Sequence, residues 1–155
     1  MNHRVRMFAM IVVVLAAGSV LLAQENSFVG TWKLNLEKSK YDPGPPPKSQ
    51  TRTWDAMGMV MVKGTNAAGK EMSYGYTIKD DGKEYPTMGS IPNHADKISS
   101  KKIDANTYEA SYTKAGKHVE TTTFKVSKDG KTLTIHAKGM TDAGNFDNLQ
   151  VWEKE

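Results

Sequence analysis

The fold is decided by a pattern that is clearest in one segment, Asp129-Gly130-Lys131-Thr132-Leu133-Thr134-Ile135-His136-Ala137. The segment begins with a dipeptide that tolerates the positive φ of a hairpin turn. Apolar residues then occupy every second position, which is typical of a β-strand that buries one face. The pattern predicts that Leu133, Ile135 and Ala137 face the interior and that His136 faces outward.

Similar strands and turns follow one another along most of the chain. Alternation is also clear at residues 72–78 and 108–112, where tyrosines occupy the predicted inward positions. Regularly spaced turns between such strands are typical of an antiparallel meander. Turn signals recur, mostly 11 to 14 residues apart, at residues 66–69, 80–82, 104–106, 115–116, 129–130 and 142–144.

The expected fold is all-β, a single up-and-down antiparallel β-barrel of about 8–10 strands. Hairpin-linked strands with one apolar face can close on themselves, and closure removes exposed sheet edges. A two-sheet β-sandwich has nearly the same sequence signature and is the alternative. The segment Glu37–Ser49 contains four prolines and is predicted to be an extended connector across one end of the barrel.

The first 23 residues have the pattern of a signal peptide. Two arginines precede an uncharged, mainly apolar run from Met7 to Leu22. We therefore expect residues 1–23 to be cleaved and residues 24–155 to form one soluble, exported lipocalin-like β-barrel domain, either periplasmic or secreted. Retention of the run as an N-terminal membrane anchor is the alternative, since it is only slightly shorter than a spanning helix.

Composition excludes several classes of function. The chain has no cysteine, which rules out disulfides, thiolate metal sites and cysteine nucleophiles. Its formal net charge of +4 falls to +2 without the two arginines of residues 1–23, with 19 basic residues against 17 acidic ones. Because the charges are interspersed, the chain lacks the clustered basic face that nucleic-acid binding requires.

Both ends of the predicted domain resemble a known superfamily. The first strand reads Phe28-Val29-Gly30-Thr31-Trp32-Lys33-Leu34, and the last reads Val151-Trp152-Glu153-Lys154. This combination resembles the calycin superfamily of lipocalins and fatty-acid-binding proteins, and the chain looks like an exported bacterial lipocalin-like protein. The resemblance implies that Gly30 and Trp32 lie at the barrel floor, with Lys154 or Arg52 beside the indole.

The chain departs from intracellular fatty-acid-binding proteins in two places. Those proteins insert a helix-turn-helix lid after the first strand, where this chain has its proline-rich connector. Many of them also hold a lipid carboxylate with an Arg-x-Tyr pair on the last strand, whereas the matching positions here are Gln150 and Trp152. The resemblance therefore implies neither a helical lid nor that mode of fatty-acid binding.

Aromatic side chains dominate the predicted interior and are the main candidate ligand contacts. A ring that carries a polar hydroxyl suits a cavity for an amphipathic molecule. We expect non-catalytic binding of a small hydrophobic or amphipathic molecule that passes in beside the Pro86–Asp96 loop. Alternatively, these side chains fill the barrel as core, and the protein acts as an envelope interaction module. The expected wall consists of Tyr74, Tyr76, Tyr108, Tyr112 and Phe124.

Polar side chains at residues 118 and 120 share the parity of the buried face of their strand. His118 and Glu120 alternate in step with Phe124, so an unbroken strand would point both into the barrel. There they could orient a ligand by hydrogen bonding or supply two ligands to a metal ion. A single bulge would reverse the parity and leave them in solvent.

The sequence contains no arrangement typical of catalysis. It lacks a Gly-x-Ser-x-Gly elbow, a His-Glu-x-x-His motif, a phosphate-binding loop and a dinucleotide fingerprint. We therefore expect no enzyme activity, no cofactor and no metal site. An isomerase or hydrolase on this scaffold would need His118 and Glu120 together in the cavity. Haem ligation by His136 conflicts with its outward parity, and the methionines at residues 57–61 are interpreted as packing.

Overall fold

The computed structural model describes residues 25–155, which form strands, turns and loops without a helix in this range. Nothing in this part of the chain is therefore a helix with the length and apolarity to cross a bilayer. The predicted signal peptide, residues 1–23, and the predicted first domain residue, 24, lie outside the described residues. The strands are β1 (Gly30–Lys40), β2 (Ser49–Trp54), β3 (Met59–Thr65), β4 (Glu71–Thr77), β5 (Glu84–Pro86), β6 (Met88–Gly89), β7 (Lys97–Asp104), β8 (Thr107–Lys114), β9 (Lys117–Val126), β10 (Thr132–Thr141) and β11 (Gly144–Lys154).

All eleven strands belong to one sheet, in the order β5-β7-β8-β9-β10-β11-β1-β2-β3-β4-β6. The long strands pair antiparallel, and the last strand pairs with the first, which curls the sheet into a barrel. The short strands β5 and β6 pair with β7 and β4, so the chain that joins them crosses the remaining gap. The prediction of an all-β up-and-down barrel is confirmed, and the two short strands raise the number above the expected eight to ten.

Alternating burial along the strands provides the interior of the barrel. On β10 the buried residues are Leu133, Ile135 and Ala137, as predicted. The same interior contains Trp32 and Trp152, which have no exposed surface. Because burial of each large apolar side chain stabilises the fold by about 1.5–3 kcal/mol, this inward row is what holds the sheet closed.

The residues that the resemblance predicts at the floor are neighbours in the structure. The Trp32 indole donates a hydrogen bond of 2.9 Å to the carbonyl oxygen of Phe28, and the Lys154 ammonium lies 5.0 Å from the indole ring. At Gly30, with φ at 141°, an added Cβ would lie 2.7 Å from the Lys154 side chain. Lys154 is therefore the cationic neighbour of Trp32, whereas Arg52 stacks 4.6 Å from the Trp152 ring.

The proline-rich connector is shorter than predicted. We expected residues 37–49 to lie outside the sheet, but β1 continues to Lys40. A register irregularity between Asn35 and Lys40 accommodates the additional strand residues, and the Ser39 hydroxyl accepts a hydrogen bond from the amide of Val151. Residues 41–48 then form the connector, which lies at one end of the barrel and contributes to the cavity described next.

Candidate ligand-binding site

A cavity of about 280 Å³ occupies one end of the barrel interior. Three connections border its mouth: the connector after β1, the loop between β6 and β7, and the turn between β10 and β11. The volume is just below the range of about 300–1,000 Å³ that is usual for ligand pockets. It therefore fits a single small molecule and is larger than a packing defect.

The aromatic wall of the cavity comes from strands β4, β8 and β9. Tyr74, Tyr76, Tyr112 and Phe124 all line it. The rings of Tyr76 and Tyr112 meet edge to face with centroids 5.8 Å apart, and those of Tyr74 and Tyr76 stack at 6.4 Å. Burial raises the pKa of both Tyr74 and Tyr112, so these hydroxyls stay protonated and can donate hydrogen bonds at neutral pH.

Tyr108 does not join this wall, contrary to the prediction. Its side chain is buried, as its parity indicated, but its ring packs 5.1 Å from Phe28 and 6.1 Å from Trp54 in the core. Tyr108 and Tyr112 share one face of β8 but are four residues apart, or about 13 Å along the strand. The alternation of the strand predicted correctly that Tyr108 faces the interior, but it could not predict the position of Tyr108 along the barrel axis.

Arg52, which the sequence analysis named only as a candidate partner of Trp32, is a cavity residue. It lies on β2, lines the cavity and is only 2% exposed. Its Nη1 donates a hydrogen bond to the Tyr76 hydroxyl, while its Nε is buried without a hydrogen-bond partner. None of the ion pairs within residues 25–155 includes this guanidinium. The sequence contains one indication of this position: Arg52 alternates in step with Gln50 and Trp54, which are buried on the same strand.

Tyr41 provides a second unsatisfied polar group on the same cavity. The connector places this side chain at the mouth, and its hydroxyl is buried without a hydrogen-bond partner. Burial raises its pKa to about 12, so the hydroxyl remains a donor. Tyr41 could not be singled out from the sequence, because it belongs to a loop without periodicity.

Glu120 points into the barrel from β9, as its parity predicted, and is 9% exposed. Both of its carboxyl oxygens already have partners. The Asn93 amide donates a hydrogen bond of 2.6 Å to Oε2, and the Thr122 hydroxyl donates to Oε1. Burial raises the pKa of Glu120, although the two hydrogen bonds and the positive charge of Arg52 oppose the shift.

His118 lies outside the barrel, so its assignment to the ligand site was wrong. The pairing of β8 with β9 runs from Tyr112–Glu120 directly to Thr113–His118, which leaves Val119 as an extra residue. This bulge turns His118 outward, where its ring nitrogens lie 2.9 Å from Ser111 Oγ and 3.1 Å from Thr121 Oγ1. His118 and Glu120 consequently form neither a metal site nor a catalytic pair.

His136 does not line the cavity, whereas the last strand, β11, contributes Asn145, Phe146, Asn148 and Gln150 to its lining. His136 points outward as predicted, and its Nε2 lies 2.7 Å from Asp147 Oδ1. Within the described part of the chain, no group of three His, Cys, Asp or Glu side chains could hold a metal ion. On β11, Gln150 lines the cavity and accepts a hydrogen bond of 3.2 Å from the Trp152 indole.

Comparison with known proteins supports the architecture. A zebrafish ileal bile acid-binding protein, solved in complex with cholic acid, superposes with a TM-score of 0.52 over 83% of this chain and 99% of its own. The two chains share the fold of an antiparallel β-barrel. Because the two sequences are only 12% identical, the likeness is one of fold alone. No protein-family model and no curated protein matches the sequence.

Proposed function

We propose that the protein binds a small amphipathic molecule in the barrel cavity, without catalysing a reaction, and that Arg52 holds an acidic head group. The observation that carries the proposal is the buried guanidinium of Arg52, which has an unpartnered Nε and no ion-pair partner among residues 25–155. Arginine stays protonated in proteins, so this positive charge persists inside the barrel.

The energetics of burial favour an anion as the missing partner. A buried donor without a partner costs about 1–3 kcal/mol, and a charged group costs more. Glu120 shares the cavity, but its oxygens are occupied by Asn93 and Thr122. A carboxylate, sulfonate or phosphate could instead accept hydrogen bonds from the planar guanidinium and from the free hydroxyl of Tyr41.

The remaining wall suits the apolar part of such a molecule. Phe124, Ile91 and Ile135 line the cavity together with the faces of the tyrosine rings. The zebrafish protein with the same fold is described as a bile acid-binding protein complexed with cholic acid, an acid with an apolar body. The alternative of a filled barrel that acts only through its surface requires an interior without a cavity, and the observed cavity disfavours it.

The first experiment is native mass spectrometry of the gently purified protein, followed by organic extraction of any bound molecule. We expect a small acidic compound at near-stoichiometric occupancy. The second is calorimetric titration with decanoic acid and with decan-1-ol, which have the same chain length and different head groups. Since a hydrogen bond to a charged group contributes about 1.5–3 kcal/mol, the acid should bind about ten- to a hundredfold more tightly.

Arg52→Gln tests the assigned role of the guanidinium. This variant should lose the preference for decanoic acid while it binds decan-1-ol within about twofold of the wild type. Lys33→Gln is the matched control, because Lys33 is an exposed residue on the neighbouring strand β1. Equal affinity of wild type and Arg52→Gln for the acid would refute the assigned head-group site.

The protein is further proposed to act outside the cytoplasm, in the periplasm or as a secreted protein. The proposal is supported by the basic start and apolar run of residues 1–23. N-terminal sequencing of protein recovered from the extracytoplasmic fraction should find a new terminus near residue 24. Full-length protein in the membrane pellet would identify an anchor instead, and full-length soluble protein in the cytoplasm would refute export.

A further inference from the structure

We infer that the hydrogen bond between Asn93 and Glu120 is a latch that holds residues 87–96, the gate segment, across the cavity mouth and sets the rate of ligand exchange. The inference rests on the proposed ligand-binding function. It goes beyond that function because it assigns to Glu120 the control of access, whereas the ligand itself is held at Arg52.

Within residues 25–155, the gate segment spans the gap in the sheet where β4 and β7 do not pair with each other. It leaves β5, which pairs with β7, runs through β6, which pairs with β4, and returns to the start of β7. Its side chains alternate: Ile91, Asn93 and Ala95 are buried, whereas Pro92 and His94 are exposed. Residues 91–95 of the segment therefore complete the barrel wall with an inward row but without strand pairing.

Backbone hydrogen bonds join residues 88–90 of the gate segment to β4 and Asp96 to β8, and none joins residues 91–95 to a strand. The Ser90 amide donates to the Ser73 carbonyl oxygen at one end, and the Asp96 amide donates to that of Thr113 at the other. Three further hydrogen bonds stay within the segment: the His94 amide donates to the Ile91 carbonyl oxygen, the Thr87 amide to that of Asp96, and the Thr87 hydroxyl to that of Ala95. Its middle is therefore held to the strands by apolar contacts and by the side chain of Asn93.

The Asn93 side chain is built to make that attachment. It is 5% exposed, and its Nδ2 lies 2.6 Å from Glu120 Oε2. Its Oδ1 accepts a hydrogen bond of 2.9 Å from the amide of Ala95, which orients the side chain. Thr122 holds the other oxygen of Glu120, so the carboxyl group is a fixed acceptor. The neighbouring residue, His94, has φ of 55°, an uncommon conformation for a residue other than glycine.

Asn93→Asp tests the latch with little change in shape. An aspartate keeps the oxygen that accepts from Ala95 but replaces the donor to Glu120 with a second acceptor. Loss of the latch should accelerate amide hydrogen exchange in residues 88–95 by about tenfold or more. Asn145→Ala is the control, because Asn145 lines the opposite rim of the same cavity and makes no side-chain hydrogen bond within residues 25–155.

Reversal of the pair provides a rescue. In the double variant Asn93→Asp with Glu120→Gln, the glutamine amide can donate to the aspartate while Thr122 still donates to the glutamine oxygen. Amide exchange should return to within about twofold of the wild-type rate. Wild-type exchange in Asn93→Asp, or exchange in the double variant as fast as in the single one, would overturn the latch.

Stopped-flow mixing with decanoic acid, followed by tryptophan fluorescence, tests the link to access. Asn93→Asp should raise the association and dissociation rates together by about tenfold and change the equilibrium affinity by less than about threefold. Faster amide exchange with unchanged ligand kinetics would show that the ligand passes elsewhere and would overturn the gating role. Amide exchange needs no ligand, so the latch itself is tested even if decanoic acid does not bind and the proposed function fails.

Discussion

Arg52 lies between Gln50 and Trp54 on the buried face of β2, with its guanidinium held between the Trp152 ring and the Tyr76 hydroxyl. Such a charge contributes little to stability when it has no ionic partner, because removal from water costs more than the contacts return. A residue of this kind is retained for binding, specificity or chemistry rather than for the strength of the fold. Replacement of Arg52 by an apolar side chain of similar length should therefore weaken ligand binding without lowering the free energy of unfolding.

Arg52→Met replaces the buried charge with an apolar side chain of similar length. We expect the free energy of unfolding in urea to stay unchanged or to rise by about 1 kcal/mol or more, while acid binding is lost. Arg52→Ala is the comparison, since it leaves a cavity and should cost about 2–5 kcal/mol. A loss of more than about 2 kcal/mol in Arg52→Met would mean that the charge stabilises the empty barrel.

Glu120 should make stability depend on pH. Burial raises its pKa above the ordinary value of 4.5, so the folded chain binds this proton more tightly than the unfolded chain. Its contribution is therefore fully present below about pH 4.5 and is lost as the pH rises through the raised pKa. The Glu120→Gln variant lacks this carboxyl group, so its stability lacks this contribution to the pH dependence.

Urea unfolding of both proteins between about pH 4 and about pH 8 measures this effect. The free energy of unfolding of the wild type, minus that of Glu120→Gln, should fall as the pH rises through the raised pKa of Glu120 and should level off above it. Subtraction of the two free energies removes the contributions of all other titrating groups that behave alike in both proteins. A difference that is constant or increases with pH would contradict the buried environment of Glu120.

At the scale of elements, the bulge in β9 decides which polar side chains reach the cavity. Val119 is the extra residue that lets Glu120 stay inward while His118 turns out toward Ser111 and Thr121. A bulge of one residue leaves no clear mark in a sequence, because Val119 fits a regular strand equally well. The strand could therefore be predicted from alternation, whereas the orientation of its first residues could not.

His118→Ala tests this register directly. Since the imidazole lies on the outer surface, the variant should bind decanoic acid within about twofold of the wild type. Thr122→Val, four residues further along β9, is the inward comparison, because it removes the hydroxyl that fixes Glu120. An affinity loss of about tenfold in His118→Ala would place the ring in the cavity and contradict the bulge.

At the scale of the whole molecule, closure depends on the last strand. β11 pairs with both β10 and β1 and contributes the fully buried Trp152. Without cysteines, no covalent crosslink could hold the ends together if this pairing were lost. We therefore expect the barrel to unfold in one cooperative transition and to require the pairing of its first and last strands.

Removal of residues 144–155 should abolish the fold. The truncation exposes the edges of β1 and β10 and deletes Trp152, so we expect loss of the cooperative thermal transition and aggregation on size-exclusion chromatography. Deletion of Glu155 alone is the control, because it removes a single backbone hydrogen bond to Thr31. A folded monomer without β11 would show that the remaining strands close independently.

Sequence reasoning predicted the barrel because strand formation and burial are local properties. Turn residues set the strand ends, and period-two alternation identified the inward face of Leu133, Ile135, Tyr76 and Tyr112. The resemblance at the two ends of the chain also predicted the contact between Trp32 and Lys154. These inferences need only the few residues on either side, since a strand alternates whatever its partner is.

The tertiary structure alone decided which inward residues meet. Alternation gives the face of a side chain but not its level along the barrel, so it grouped Tyr108 with Tyr112 and did not bring Arg52 to the ligand site. The level depends on the register of every strand pair and on bulges such as that at Val119. The sequence by itself determined an all-β barrel with an aromatic interior. The cavity, its unpaired guanidinium and its latch follow from how strands distant in the chain are aligned.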